Sequence, residues 1–128
     1  LLRKNHRFSP GEVVAMVRQM ASALDTAHGS GVVHRDLKPE NIVLIPATGQ
    51  APVIKVIDFG ISLTSTHERI TQQSRVLGTP EFMAPEQAQG RRDDIDARTD
   101  QFALAVLAFT LLAGDTPYKG ENSLSVLY

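Results

Sequence analysis

From Phe102 to Ala113 the chain reads Phe-Ala-Leu-Ala-Val-Leu-Ala-Phe-Thr-Leu-Leu-Ala, apolar on almost every side of a helix. Such a helix has no face to offer water, so it belongs inside a protein core or a bilayer. This one is too short to span a bilayer, and Asp100 and Asp115 bound it. The reading is a buried helix from about Asp100 to Ala113, stopped by Gly114 and Pro117. Composition agrees: 42% of the 128 residues are hydrophobic and 21% charged, an ordinary globular balance. A chain of this length buries modest area, so any apolar face left uncovered would make it marginal.

A first helix is written with its own punctuation. Ser9-Pro10-Gly11-Glu12 supplies a capping residue, proline at the first helical position and glutamate three after the cap. Val13, Met16, Val17, Met20, Ala23, Leu24 and Ala27 then recur at helical spacing, and Gly29 and Gly31 end the element. Short apolar runs follow at Val32-Val33, Ile42 to Ile45 and Val53 to Ile57. The last two flank a turn carrying Pro46, Gly49 and Pro52, so these runs read as short strands around a hairpin. From Asp58 to Glu86 periodicity fades and Ser, Thr and Gln are frequent; a connection that long is usually functional or mobile. The architecture expected is α+β, mainly helical, with a small β element carrying the polar residues.

Thirteen basic against fourteen acidic residues give a net charge of −1, so no global field points to nucleic acid or to an acidic membrane surface. A phosphate site would have to be local. Cysteine is absent, which excludes disulfide and thiolate chemistry. No membrane segment, signal segment or lipidation motif is expected. The first residue is Leu1, not Met, which suggests a piece of a longer chain, or else one that has been processed or trimmed.

Three polar motifs interrupt the apolar pattern. His34-Arg35-Asp36-Leu37-Lys38-Pro39-Glu40-Asn41 lies between two strand-like runs, Asp58-Phe59-Gly60 follows another, and Gly78-Thr79-Pro80-Glu81-Phe82-Met83-Ala84-Pro85-Glu86 closes the long connection. Together, in this order, they resemble the protein-kinase signature of catalytic loop, metal-binding motif and end of the activation segment. The resemblance runs from the first helix to the buried one and implies a kinase-like C-terminal lobe whose β-hairpin element carries the catalytic loop. Phosphoryl transfer needs an aimed nucleophile and neutralised phosphate charge more than covalent help. By resemblance, Asp36 orients the substrate hydroxyl and accepts its proton, and Lys38 meets the γ-phosphate of ATP. Asn41 and Asp58 supply oxygen ligands of the kind Mg²⁺ prefers. Val43 is similar to the apolar residue under the adenine. Arg35 resembles the arginine that receives a phosphorylated activation-segment residue, for which Thr71 is the leading candidate among Ser62, Thr64, Ser65, Thr66, Thr71 and Ser74. His34 and Phe59 resemble members of the stacked internal spine, and Asp100 resembles the buried aspartate that anchors the catalytic-loop backbone. Taken singly, the same residues would read as a capping Asp, turn residues, a solvated Lys and a surface ion pair for Arg35.

Lys38 with Gly78-Thr79-Pro80 resembles the serine/threonine rather than the tyrosine kinases, and Thr79 would help position the substrate. Ala84 to Ala88 and Asp100 to Leu104 look like the bacterial, eukaryotic-like members. The resemblance implies ATP and Mg²⁺, a protein substrate, no nucleic acid and a cytoplasmic domain, whatever anchors the parent chain. Residues 1–128 show no Gly-rich phosphate loop, strand lysine or partner glutamate. They are therefore expected to form a partial domain, without the N-terminal lobe and the distal helices, that is inactive alone and leaves Glu86 without its cation. Two other readings remain: a pseudokinase or scaffold module, and a kinase-like small-molecule phosphotransferase.

Overall fold

The computed structural model describes residues 7–48, 50–59 and 80–119. Helix α1 (Pro10–Gly29) starts where the sequence places it. Ser9 Oγ accepts the Glu12 N–H at 3.4 Å while Glu12 Oε2 accepts the Ser9 N–H at 2.8 Å, a reciprocal capping box. Its stripe of Val13, Met16, Met20 and Leu24 is buried.

Strands β1 (Ile42–Ala47) and β2 (Gln50–Val56) form an antiparallel hairpin that pairs Ile42 with Val56, Leu44 with Ile54 and Ile45 with Val53. The register breaks between Ile45 and Ala47, at Pro46, which has no N–H to give the ladder. Alternation sends Ile42, Leu44, Ile54 and Val56 to the core and puts Val43, Ile45, Val53 and Lys55 on the other face. Val32-Val33 is not a strand in the structure. The sheet is the two strands of the hairpin alone, and the chain through Val32-Val33 runs on into a loop held by side chains.

A single turn, α2 (Pro85–Ala88), precedes α3 (Ala97–Ala113). Helix α3 begins three residues before the expected start at Asp100, because Asp96 caps it: Asp96 Oδ1 accepts the Arg98 N–H at 2.8 Å, and Thr99 Oγ1 accepts the Asp96 N–H at 3.3 Å. The side-chain hydrogen bonds from the Arg98 guanidinium hold the Asp96 carboxyl below the usual carboxylate range. Gly114, at φ 77°, takes the left-handed position that ends the helix. Thr99, Asp100, Ala103, Val106, Leu107 and Leu111 are buried against α1, the hairpin and Phe82. The burial is one-sided, however. Phe109 and Leu112 are 48% and 44% exposed, since no described element lies against that side.

Candidate active site

The loop between α1 and β1 is held from beneath by one carboxylate. Asp100, on the first turn of α3 and 1% exposed, accepts the His34 N–H at Oδ2 and the Arg35 N–H at Oδ1, both at 2.8 Å. His28, in the last turn of α1, donates from Nε2 to the same Oδ2 at 2.7 Å. Two backbone donors and a ring N–H thus satisfy a carboxylate that burial would otherwise penalise severely. With its N–H fixed, Arg35 adopts φ 67°, a left-handed conformation unusual for a residue with a Cβ.

The next turn presents Asp36. Its Oδ2 lies 2.8 Å from Lys38 Nζ and 3.3 Å from Asn41 Nδ2, and Asn41 Nδ2 also donates to the Asp36 carbonyl at 2.8 Å. Asn41 is buried while the Asp36 side chain is 39% exposed, so a fixed amide holds a carboxylate that solvent and a substrate can reach. The segment after the hairpin is tied to the same loop. Ile57 donates its N–H to the Asn41 carbonyl at 2.9 Å, and its carbonyl accepts from His34 Nε2 at 3.0 Å. Since His34 Nδ1 accepts the Asp36 N–H at 3.3 Å, the ring is the Nε2-protonated tautomer. The His34 and Phe59 rings lie 4.6 Å apart, as the spine resemblance anticipates. Between Ile57 and Phe59, Asp58 sits exposed at φ 55°.

The described residues contain no cluster of three or more His, Cys, Asp or Glu able to hold a metal by themselves. Asn41 and Asp58 offer hard oxygens only. With the Asn41 nitrogen given to Asp36, its Oδ1 is the atom left for a cation. Such a sparse oxygen set suits Mg²⁺, which keeps most of its shell for phosphate and water.

On the other side of the loop, Gln87 of α2 donates from Nε2 to the Arg35 carbonyl at 2.6 Å and accepts the Ala84 N–H at 3.1 Å. Its neighbour Glu86 accepts the Thr99 hydroxyl at Oε1, at 2.6 Å, a neutral donor, and no described cation forms a salt bridge with it. Among the described residues no carboxylate pairs with Arg35, so the surface ion pair that a plain reading would give it is not made there.

The structure therefore gathers Arg35, Asp36, Lys38, Asn41 and Asp58 around one loop, with Val43 on the hairpin face turned from the core. Thr71 and Thr79 lie outside the described residues. His28, Gln87 and Thr99 were missed in the sequence. A histidine in a helix's last turn and a glutamine after a Pro-Glu pair carry no chemical signal of their own, and their partners are 72 and 52 residues away.

This fold and this loop define a class. The chain belongs to the protein kinase domain family, whose pattern it matches over residues 1–127. It is 48% identical, over 88% of its length, to the serine/threonine-protein kinase Pkn1 of Myxococcus xanthus, and 40% identical over 97% to pkn3 of the same organism. The serine/threonine-protein kinase PknB of Mycobacterium tuberculosis shares 36% identity over 94% of the chain. The chain spans 16%, 23% and 18% of the lengths of these three relatives. Among the described residues no helix is long and apolar enough to cross a membrane.

Proposed function

We propose that this chain carries the catalytic-loop portion of an ATP-dependent protein kinase that phosphorylates serine or threonine hydroxyls. One observation carries the reading: within a single hydrogen-bonded loop, the Asp36 carboxylate is fixed by Asn41, paired with Lys38 and still open to solvent. The relatives named as serine/threonine-protein kinases support the substrate class.

In this reading Asp36 aligns the substrate hydroxyl and takes its proton as the oxygen bonds to the γ-phosphorus. The bond from that phosphorus to the bridging oxygen breaks, and its electron pair leaves with ADP. Lys38, already against Asp36, shares its charge between the base and the γ-phosphate. Asn41 Oδ1 and the Asp58 carboxylate would hold Mg²⁺, which when bound neutralises phosphate charge. Val43 would lie under the adenine, and Thr79 would help seat the peptide. Arg35 would receive a phosphate on the segment that includes Thr71. A cytoplasmic location of this domain would supply its ATP.

The test is Asp36→Asn in the full-length protein that contains this chain. Loss of a positioned base lowers turnover by at least about 100-fold, while binding of a fluorescent ATP analogue stays at the wild-type level. Near wild-type turnover in this variant would overturn the assignment.

A further inference from the structure

The peptide between Arg35 and Asp36 is gripped at both ends by groups from different parts of the chain. Its carbonyl accepts from Gln87 Nε2 at 2.6 Å, and its N–H donates to His34 Nδ1 at 3.3 Å. One bond upstream, the Arg35 N–H is fixed on Asp100 of α3. Rotating this peptide plane changes ψ of Arg35 and φ of Asp36, and so swings the Asp36 carboxylate.

Gln87 also caps α2, because its Oε1 accepts the Ala84 N–H at 3.1 Å, while Ala84 has no side-chain oxygen to return the bond. The amide orientation follows from its partners: a carbonyl can only accept and an N–H can only donate. Capping alone would leave Nε2 to water. Instead it makes a short bond to a carbonyl 52 residues away. The amide therefore joins the backbone of the segment ending at Ala84 to the backbone that aims Asp36.

We propose that Gln87 is a positioning residue for phosphoryl transfer, setting the orientation of Asp36 through the Arg35 carbonyl and coupling it to the segment that precedes α2. This rests on Asp36 being the base.

The experiment uses the full-length kinase with Gln87→Glu, Gln87→Leu and, in parallel, Asp36→Asn. Leucine removes both hydrogen bonds. Glutamate keeps an acceptor for Ala84 but sets a second acceptor against the Arg35 carbonyl, except when protonated. Misalignment of a catalytic group by a fraction of an ångström to an ångström costs up to about 100-fold. Gln87→Leu is expected to lower kcat about 10- to 100-fold with the KM for ATP within about twofold of wild type. Gln87→Glu should fall comparably near pH 8.5. Its kcat relative to wild type should then climb as the pH is lowered towards about 6, where more of the introduced carboxyl carries a proton and again donates to Arg35. A purely structural role gives a pH-independent ratio for Gln87→Glu and a kcat loss that follows the loss of melting temperature. Either that pattern or a wild-type kcat in Gln87→Leu overturns the proposal, provided Asp36→Asn is inactive. An active Asp36→Asn overturns the base assignment, and this proposal with it. If the leucine variant does not fold, the pH dependence of the glutamate variant decides alone.

Discussion

Arg35 and Asp58 both hold left-handed backbone, at φ 67° and 55°, and both belong to the site proposed for phosphoryl transfer. For a residue with a Cβ this costs about 1–2 kcal/mol, so the neighbouring bonds must hold it in place. At Arg35 those bonds run from its own N–H to Asp100 and from Gln87 to its carbonyl; at Asp58 the preceding residue, Ile57, is tied through both its N–H and its carbonyl. The Arg35 guanidinium has no described carboxylate partner, which leaves it available to an anion. A phosphothreonine carries nearly two negative charges and three acceptor oxygens that suit a guanidinium. Mass spectrometry of the active full-length protein should find phosphate between Ile61 and Val76, with Thr71 the leading position. Phosphatase treatment should lower activity severalfold, and Arg35→Ala should remove that dependence. A phosphate-free segment in fully active protein would sink the idea. The contacts among Asp36, Lys38 and Asn41 were legible because the three lie within six residues of one another in a contiguous motif. Asp100 was legible only through family resemblance, since nothing local shows that a helix aspartate will meet a backbone 65 residues upstream.

Helix α1 could be read to its first residue because a capping box is a local device, complete within four residues. The start of α3 was misread by three residues although the same kind of device was present. Asp96 and Thr99 form the cap, but attention to the apolar run put the boundary at Asp100. The hairpin was legible from two apolar runs flanking a turn rich in Pro and Gly, yet its outer edge hid a tertiary contact. Gln19 of α1 reaches β2, where Oε1 accepts the Ile54 N–H at 2.9 Å and Nε2 donates to the Pro52 carbonyl at 3.1 Å. One amide thus completes two backbone groups that the strand pairing leaves open, and it blocks the edge against other strands. Since β2 leads directly into Ile57 and Asp58, this clamp helps set where Asp58 stands. Removing it leaves a partly buried N–H unpaired, at a cost of about 1 kcal/mol. In Gln19→Ala, hydrogen exchange over 50–57 should quicken roughly fivefold, the equivalent of that free energy, while exchange in α3 stays unchanged. Equal exchange in both proteins would show that the hairpin holds itself.

At the scale of the whole chain, the core is a shared one. Val13, Met16, Met20 and Leu24 of α1, Leu37 of the loop, Ile42 and Ile54 of the hairpin, Phe82, and Val106, Leu107 and Leu111 of α3 form one buried cluster. The catalytic loop rests directly on it through Leu37, 2% exposed, and His34, fully buried, so the loop's geometry depends on the cluster being intact. The same helix that supplies the centre of this cluster turns Phe109 and Leu112 towards water, and Val14, Val32, Val53, Ile57 and Tyr118 are also between 38% and 52% exposed. At about 25 cal/mol per Å² of apolar surface, a few half-exposed large side chains forfeit several kcal/mol, comparable with the whole stability of a small domain. The buried all-round helix expected from the sequence is thus only half provided for by the residues around it. Neither do the 128 residues hold a Gly-rich loop to align ATP phosphates. Orientation of reactants accounts for several kcal/mol of a barrier, so unaligned phosphates next to a well-placed Asp36 are not enough for turnover. Residues 1–128 expressed alone are therefore expected to bind a hydrophobic dye, to lack a sharp cooperative melt and to transfer no phosphate to a generic protein substrate. A cooperative melt together with ATP-dependent phosphorylation by the isolated chain would show that these exposed faces need no cover and that the loop aligns ATP by itself.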